Sequence, residues 1–173
     1  MPPLTPGCQQ AFGIIYRVTE GDSAMTRLAG FETRSVLMEP MLLLRFQAPE
    51  ADVERIMAEV CALTPLIVGS YDSNAYQSAG GIERYRPLAG AAAGAETEIR
   101  KRPGVVEVSF RLPVDQTLLA DVVETIFQVH SYQEPFITVE QILASRSKGL
   151  DDSRNPHRWW NTTGDWKTAV ATE

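Results

Sequence analysis

Gly69-Ser-Tyr-Asp-Ser-Asn-Ala-Tyr-Gln-Ser-Ala-Gly-Gly-Ile-Glu-Arg-Tyr-Arg-Pro-Leu88 leaves one apolar run, Leu66-Ile67-Val68, and returns toward another through paired glycines. Tyrosines, arginines, a carboxylate and Gly80-Gly81 in one stretch are more specialised chemistry than a connection between two strands needs. Upstream of it, Met41-Leu-Leu-Leu-Arg-Phe-Gln47 is an apolar run that passes into alternation, the pattern of a central strand. Pro49 and Asp52 suit the first turn of a helix. Val53, Ile56, Met57, Val60 and Leu63 then recur at helical spacing, with Glu54, Arg55 and Glu59 opposite, until Thr64-Pro65 ends the pattern. Leu66-Ile67-Val68 reads as the second strand.

Downstream, Ala89 to Ala95 is small and featureless, and a charged segment closed by Pro103-Gly104 completes what reads as a mobile loop. Arg100-Lys101-Arg102 follows Glu96 and Glu98, as a solvated loop does. Val106, Val108, Phe110 and Leu112 alternate with Glu107, Ser109 and Arg111, which predicts a strand with one face to the core. Asp115 suits the N-cap of a second helix carrying Leu119, Val122, Val123, Ile126 and Val129 on one stripe, with His130 at its end. Phe136 to Ile142 is the last strand.

The order is strand, helix, strand, long hairpin, strand, helix, strand. That is an α+β, ferredoxin-like (βαββαβ) antiparallel sheet with helices on one face. We assign it to residues 41–145, preceded by an N-terminal extension (1–40) and followed by a Trp-containing tail (146–173) with Trp159, Trp160 and Trp166. In the extension, Ala11 to Val18 has strand character, and Pro40 is expected to end any local element. Two helices cover one face of a four-stranded sheet. Apolar side chains on the other, each worth about 1.5–3 kcal/mol when buried, predict self-association as a homotrimer or homodimer.

At 173 residues the chain is long enough for one domain with a real core. Its net charge of -6 argues against a nucleic-acid partner. Cys8 and Cys61 are far apart with no CxxC, and the N-terminus lacks the charged and apolar regions of a signal peptide. With no apolar run approaching a membrane span, the expected setting is the reducing cytoplasm.

Two segments carry a family resemblance. Gly69, Tyr71, Asp72, Ser73, Gly80, Arg86, Pro87, Leu88 and Gly90 match GxYDSCxxxxxGxGxFRPLxG, and His130, Tyr132, Glu134 and Pro135 match HPYEEP. The pair, over roughly residues 41–143, resembles the small inserted domain of the Ngg-one-interacting-factor-three family (the YqfO type). The resemblance implies a ferredoxin-like domain related in shape to the PII signalling and CutA proteins, typically trimers that bind small ligands or metals between subunits. Here Asn74 replaces the family cysteine, Ser131 a proline and Gln133 a glutamate. The larger flanking domain with its two-metal ligands is missing, so no metal site and no cofactor is carried over.

The candidate ligand-binding residues are Tyr71, Asp72, Tyr76, Arg84, Arg86, His130, Tyr132 and Glu134. Arg84 and Arg86 are placed to clamp an anion or to pair with carboxylates such as Glu107. Asp72 suits an Asx-turn or a ligand contact, and Gly80-Gly81 a hairpin tip with positive φ. His130 is either a helix C-terminal cap or a titrating group beside Tyr132 and Glu134.

The favoured function is an oligomeric small-molecule-binding or regulatory module with its ligand at a subunit edge. An alternative is a cofactor-free isomerase or cyclase, with His130 as base, Tyr71 or Tyr132 as acid and Arg86 holding an enolate or carboxylate. It requires His130, Asp72 and Arg86 to share one cleft. A third reading makes the Trp-rich tail a protein-interaction element.

Overall fold

Alternation along two long strands builds the centre of the molecule, for which a computed structural model describes residues 29–150 and 152–161. Strand β1 is Phe31–Glu32, β2 Val36–Pro49, β3 Tyr76–Gln77, β4 Gly81–Tyr85, β5 Arg100–Leu112 and β6 Ile137–Ser147. Helices α1 (Glu50–Leu63) and α2 (Gln116–Val129) follow β2 and β5. The central pair β2 and β5 is antiparallel from Leu42↔Leu112 to Pro49↔Val105. Period-two geometry therefore turns Leu42, Leu44, Phe46 and Ala48 to the same face as Val106, Val108, Phe110 and Leu112, and all eight are buried. Onto that face α1 packs Val53, Ile56 and Val60, and α2 packs Val122 and Ile126. Phe46 and Phe110 meet edge to face at 6.5 Å. Asp115 caps α2 as expected, its Oδ1 accepting from the backbone N–H of Thr117 at 2.9 Å and of Leu118 at 3.1 Å.

β6 lies on the far side of β2, and β3 and β4 both pair with β5, so the sheet runs β6, β2, β5, then β4 with β3. Every pairing is antiparallel, which is the ferredoxin-like arrangement with both helices on one face. No helix among the described residues is long and apolar enough to cross a membrane.

Several expectations are corrected. Leu66-Ile67-Val68 is not the second strand. Leu66 takes φ 49° and Gly69 φ 63°, and the chain folds back so that Ser73 N–H donates to Pro65 O at 2.8 Å. Only a bridge between Val68 and Tyr71 survives there. The second strand lies inside the opening stretch, as β3 and β4. Gly80 and Gly81 do not take positive φ, and a Cβ on either would meet only ordinary van der Waals contact, 3.4 Å from Gly104 Cα and 3.6 Å from Val105 O. The hairpin tip falls later, between β4 and β5, where Gly90 and Gly94 have φ 97° and 77°. Arg100-Lys101-Arg102 is the start of β5 and not a loop, paired with Tyr85, Arg84 and Glu83.

Strand β2 also begins before Pro40 and runs through it. Pro40 lies between the stretch paired to β1 and the stretch paired to β5, so its missing N–H deprives no ladder on that side. Its Cδ faces Gly30, 3.5 Å from where a Cβ would stand, and that same Cβ would be 2.5 Å from Met38 O; only glycine fits there. The face away from the helices is more polar than expected. Leu43, Met41 and Ile142 share it with Arg45, which meets Glu140 at 2.6 Å and Glu107 at 3.9 Å. The Ala11 to Val18 strand, Cys8, Trp166 and the side chain of Trp159 lie outside the described residues.

Candidate functional site

The two motif segments meet at the β4 end of the sheet. Register places Glu83 opposite Arg102 and Tyr85 opposite Arg100 on one face, while Arg84 and Lys101 face the other way. The turn after α2 brings Tyr132 onto the same spot. The Arg102 guanidinium stands over both rings, 5.0 Å from the Tyr85 centroid and 4.6 Å from that of Tyr132. Its Nη2 donates to Tyr85 Oη at 2.7 Å, and its Nη1 is 3.7 Å from Glu83 Oε2. Tyr132 Oη donates to that carboxylate oxygen at 3.0 Å. Burial raises the Tyr132 pKa above its ordinary value and the Glu83 carboxylate adds to this, against the opposing pull of Arg102. The phenol therefore stays a hydrogen-bond donor well past neutral pH.

In front of this stack lies a cleft of about 430 Å³. Arg86, Leu88, the alanines 91–93, Gln133 and Glu134 complete its wall. Arg100 is held by Glu96, with Nε to Oε2 at 2.7 Å and a second contact from Nη2 to Oε1. Gln133 fastens the alanine segment: its Oε1 accepts from Ala92 N–H at 2.9 Å and its Nε2 donates to Gly90 O at 3.4 Å. A glutamate could accept the first bond but could not donate the second, so this departure from the resembled motif fits the alanine loop it holds.

His130, at the C-terminal end of α2, is buried at 9% exposure. Its Nε2 lies 2.9 Å from Gln47 O, to which it must donate because a carbonyl only accepts, and its Nδ1 accepts from Tyr132 N–H at 2.9 Å. Both nitrogens are thus committed to backbone, which fixes the Nε2–H tautomer and seats the 131–134 turn.

Next to it, Asp52 in the first turn of α1 pairs with Arg55 at 2.8 Å, and Arg55 Nε donates to Val129 O at 3.0 Å, tying α1 to the end of α2. Burial works to raise the Asp52 pKa, but the Ser131 hydroxyl and the Arg55 guanidinium outweigh it and hold the carboxyl below its ordinary value of 3.8. A lowered folded pKa stabilises above the unfolded value and is lost as pH falls through the folded one. Urea unfolding below about pH 4 should therefore show a steeper acid loss in the wild type than in Asp52→Asn. Parallel profiles would remove Asp52 from the acid response.

Of the residues singled out from sequence, Arg86, Tyr132 and Glu134 line the cleft. Tyr71 and Asp72 line a separate hollow with Ile67, Gly69 and Ser70. Tyr76 sits in a shallow depression on the open sheet face with Leu43, Ser109 and Arg111. Arg84 points away, and Glu107 meets Arg45 instead. His130, Asp72 and Arg86 do not share a cleft, so the acid–base arrangement lacks the convergence it required. Sequence reading missed Glu83, Tyr85, Arg100 and Arg102. The signal was alternation: Glu83 with Tyr85 and Arg100 with Arg102 each recur at a period of two. Trp160 is 54% exposed, with the Arg158 guanidinium 5.8 Å from its ring. Among the described residues no three His, Cys, Asp or Glu side chains gather as a metal site would need.

No protein-family model matches the chain, and no curated protein matches it. Among solved structures it is similar to a Bacillus cereus protein related to NIF3, at 16% identity and TM-score 0.52, over 63% of this chain and 27% of that one. The chain thus spans about a quarter of that protein's length. It is also similar to CutA from Xylella fastidiosa (13% identity, 59% of this chain and 83% of that one, TM-score 0.44). GlnK from B. subtilis matches at 15% identity over 60% and 84%, with TM-score 0.40. The resemblance to the NIF3-related protein, together with the strand order, establishes a ferredoxin-like fold.

Proposed function

We propose that the chain is a self-associating, small-molecule-binding module whose ligand occupies the cleft between the β4–β5 hairpin and the 131–134 turn. One observation carries this reading. Among the described residues lining the cleft, Arg86 has no hydrogen bond or ion pair, whereas Arg100 and Arg102 are engaged by Glu96, Tyr85 and Glu83. A free guanidinium over a wall of Leu88 and alanines suits an anionic group attached to an apolar body. The Tyr85–Arg102–Tyr132 stack is the rigid floor, and Gln133 sets the roof. Ligand sites of this kind combine an apolar lining with a few fixed polar groups.

Self-association as a homotrimer or homodimer is supported by the face away from the helices. It mixes the half-buried Leu43 and Ile142 with the Arg45 ion pairs, a composition suited to an interface between copies.

Native mass spectrometry of gently purified protein tests both parts at once. The expected result is an oligomer carrying a reproducible small-molecule mass, with occupancy about tenfold lower in Arg86→Ala at equal oligomer state. Full occupancy in Arg86→Ala would remove the ligand from this cleft, and a strictly monomeric protein would end the assembly reading.

A further inference from the structure

A hollow of about 710 Å³, larger than the cleft, lies between the β1–β2 turn, the end of β6 and residues 150 and 152–158. Among the described residues its wall carries Arg34, Arg146, Arg154 and Arg158 against one carboxylate, Asp152. In a chain of net charge -6 that is a local reversal of sign. Two of the four guanidiniums are anchored as part of the wall. Arg146 Nε donates to Glu39 Oε1 at 2.7 Å and its Nη1 to Ile67 O at 3.1 Å, while Arg158 is held by Asp152.

The segments bearing the other two are also fixed. Thr33 Oγ1 accepts from Val36 N–H at 3.0 Å and from Ser35 N–H at 3.3 Å, which sets the turn that carries Arg34. Asn161 Nδ2 donates to the carbonyls of Asp152 and Asn155, each at 2.8 Å, closing the loop that carries Arg154. Among the described residues neither Arg34 nor Arg154 has an ion pair or hydrogen bond from its side chain. They stand on different segments of the wall, and Ser35 and Ser147 add hydroxyls.

We propose that this hollow is a second binding site, distinct from the cleft, for a small phosphate-bearing anion. Planar guanidinium forks match phosphate oxygens bidentately, and hydroxyls supply the remaining donors. Two unneutralised arginines call for a ligand with at least two negative charges. The volume exceeds that of a bare phosphate, so an organic phosphate fits, with Leu150 as its apolar contact.

Isothermal titration of the full chain with pyrophosphate is the test. Binding should weaken on raising ionic strength, as charge-dominated contacts do. It should weaken about tenfold or more in the double variant Arg34→Ala/Arg154→Ala, whose two side chains are exposed and outside the core. Arg86→Ala should bind pyrophosphate as the wild type does, which separates this site from the cleft. No heat with pyrophosphate, or unchanged affinity in the double variant, overturns the proposal. So does a loss confined to Arg86→Ala, which would place the anion in the cleft, or citrate binding as tightly as pyrophosphate, which would remove the phosphate assignment.

Discussion

His130→Ala is expected to lower the free energy of unfolding by about 3 kcal/mol, because it strips partners from two backbone groups in the interior. Gln47 O loses the Nε2–H donor and Tyr132 N–H loses the Nδ1 acceptor, and no water can follow easily into a site 9% exposed. The 131–134 turn should loosen with it, carrying Tyr132 away from Glu83 and Arg102. Urea unfolding followed by circular dichroism measures the change. An unaltered midpoint would show that the two bonds hold nothing, and would return His130 to the residues free for chemistry.

The second large effect is expected at Arg102. Its guanidinium makes a hydrogen bond to Tyr85 Oη, contacts two aromatic faces and lies near Glu83. A cation over an aromatic ring is worth about 0.5–2 kcal/mol, and its partial exposure keeps the total for Arg102→Ala at about 2 kcal/mol. Arg102→Lys retains the charge but has neither the planar fork nor the stacking surface, so it should recover less than half of that loss. The same variants should lose the small-molecule mass that the proposed function expects of the wild type. A lysine variant as stable as the wild type would reduce the stack to a simple charge effect.

What was legible in the sequence was what local periodicity encodes. Both helices, the Asp115 cap and the alternating strands around Phe46 and Phe110 follow from spacing along one segment. The second strand escaped because β3 and β4 are exposed and polar, and their strand character comes from pairing with β5. Leu66-Ile67-Val68 looks like a strand by composition, yet Leu66 is buried in a left-handed turn that composition cannot register. The candidate site divides the same way. Arg86, Tyr132 and Glu134 were visible as motif residues, whereas Arg100 and Arg102 look like a solvated charge run until β4 supplies Tyr85 and Glu83 across the ladder. His130 drew notice for its titratable ring, but its role depends on Gln47, a partner remote in sequence and carried on β2.

The fastening of the alanine segment by Gln133 bears on how quickly the proposed ligand would exchange with the cleft. If the proposed ligand enters by lifting this segment, two neutral hydrogen bonds, each worth about 1 kcal/mol net, would bias it toward the position seen here by roughly thirtyfold. A bias of that size leaves an open fraction of a few per cent, enough for entry without unfolding anything else. It would lower the apparent association rate of the proposed ligand by the same factor and prolong its occupancy once the segment is down, so residence time would be governed by a glutamine that need not touch the ligand.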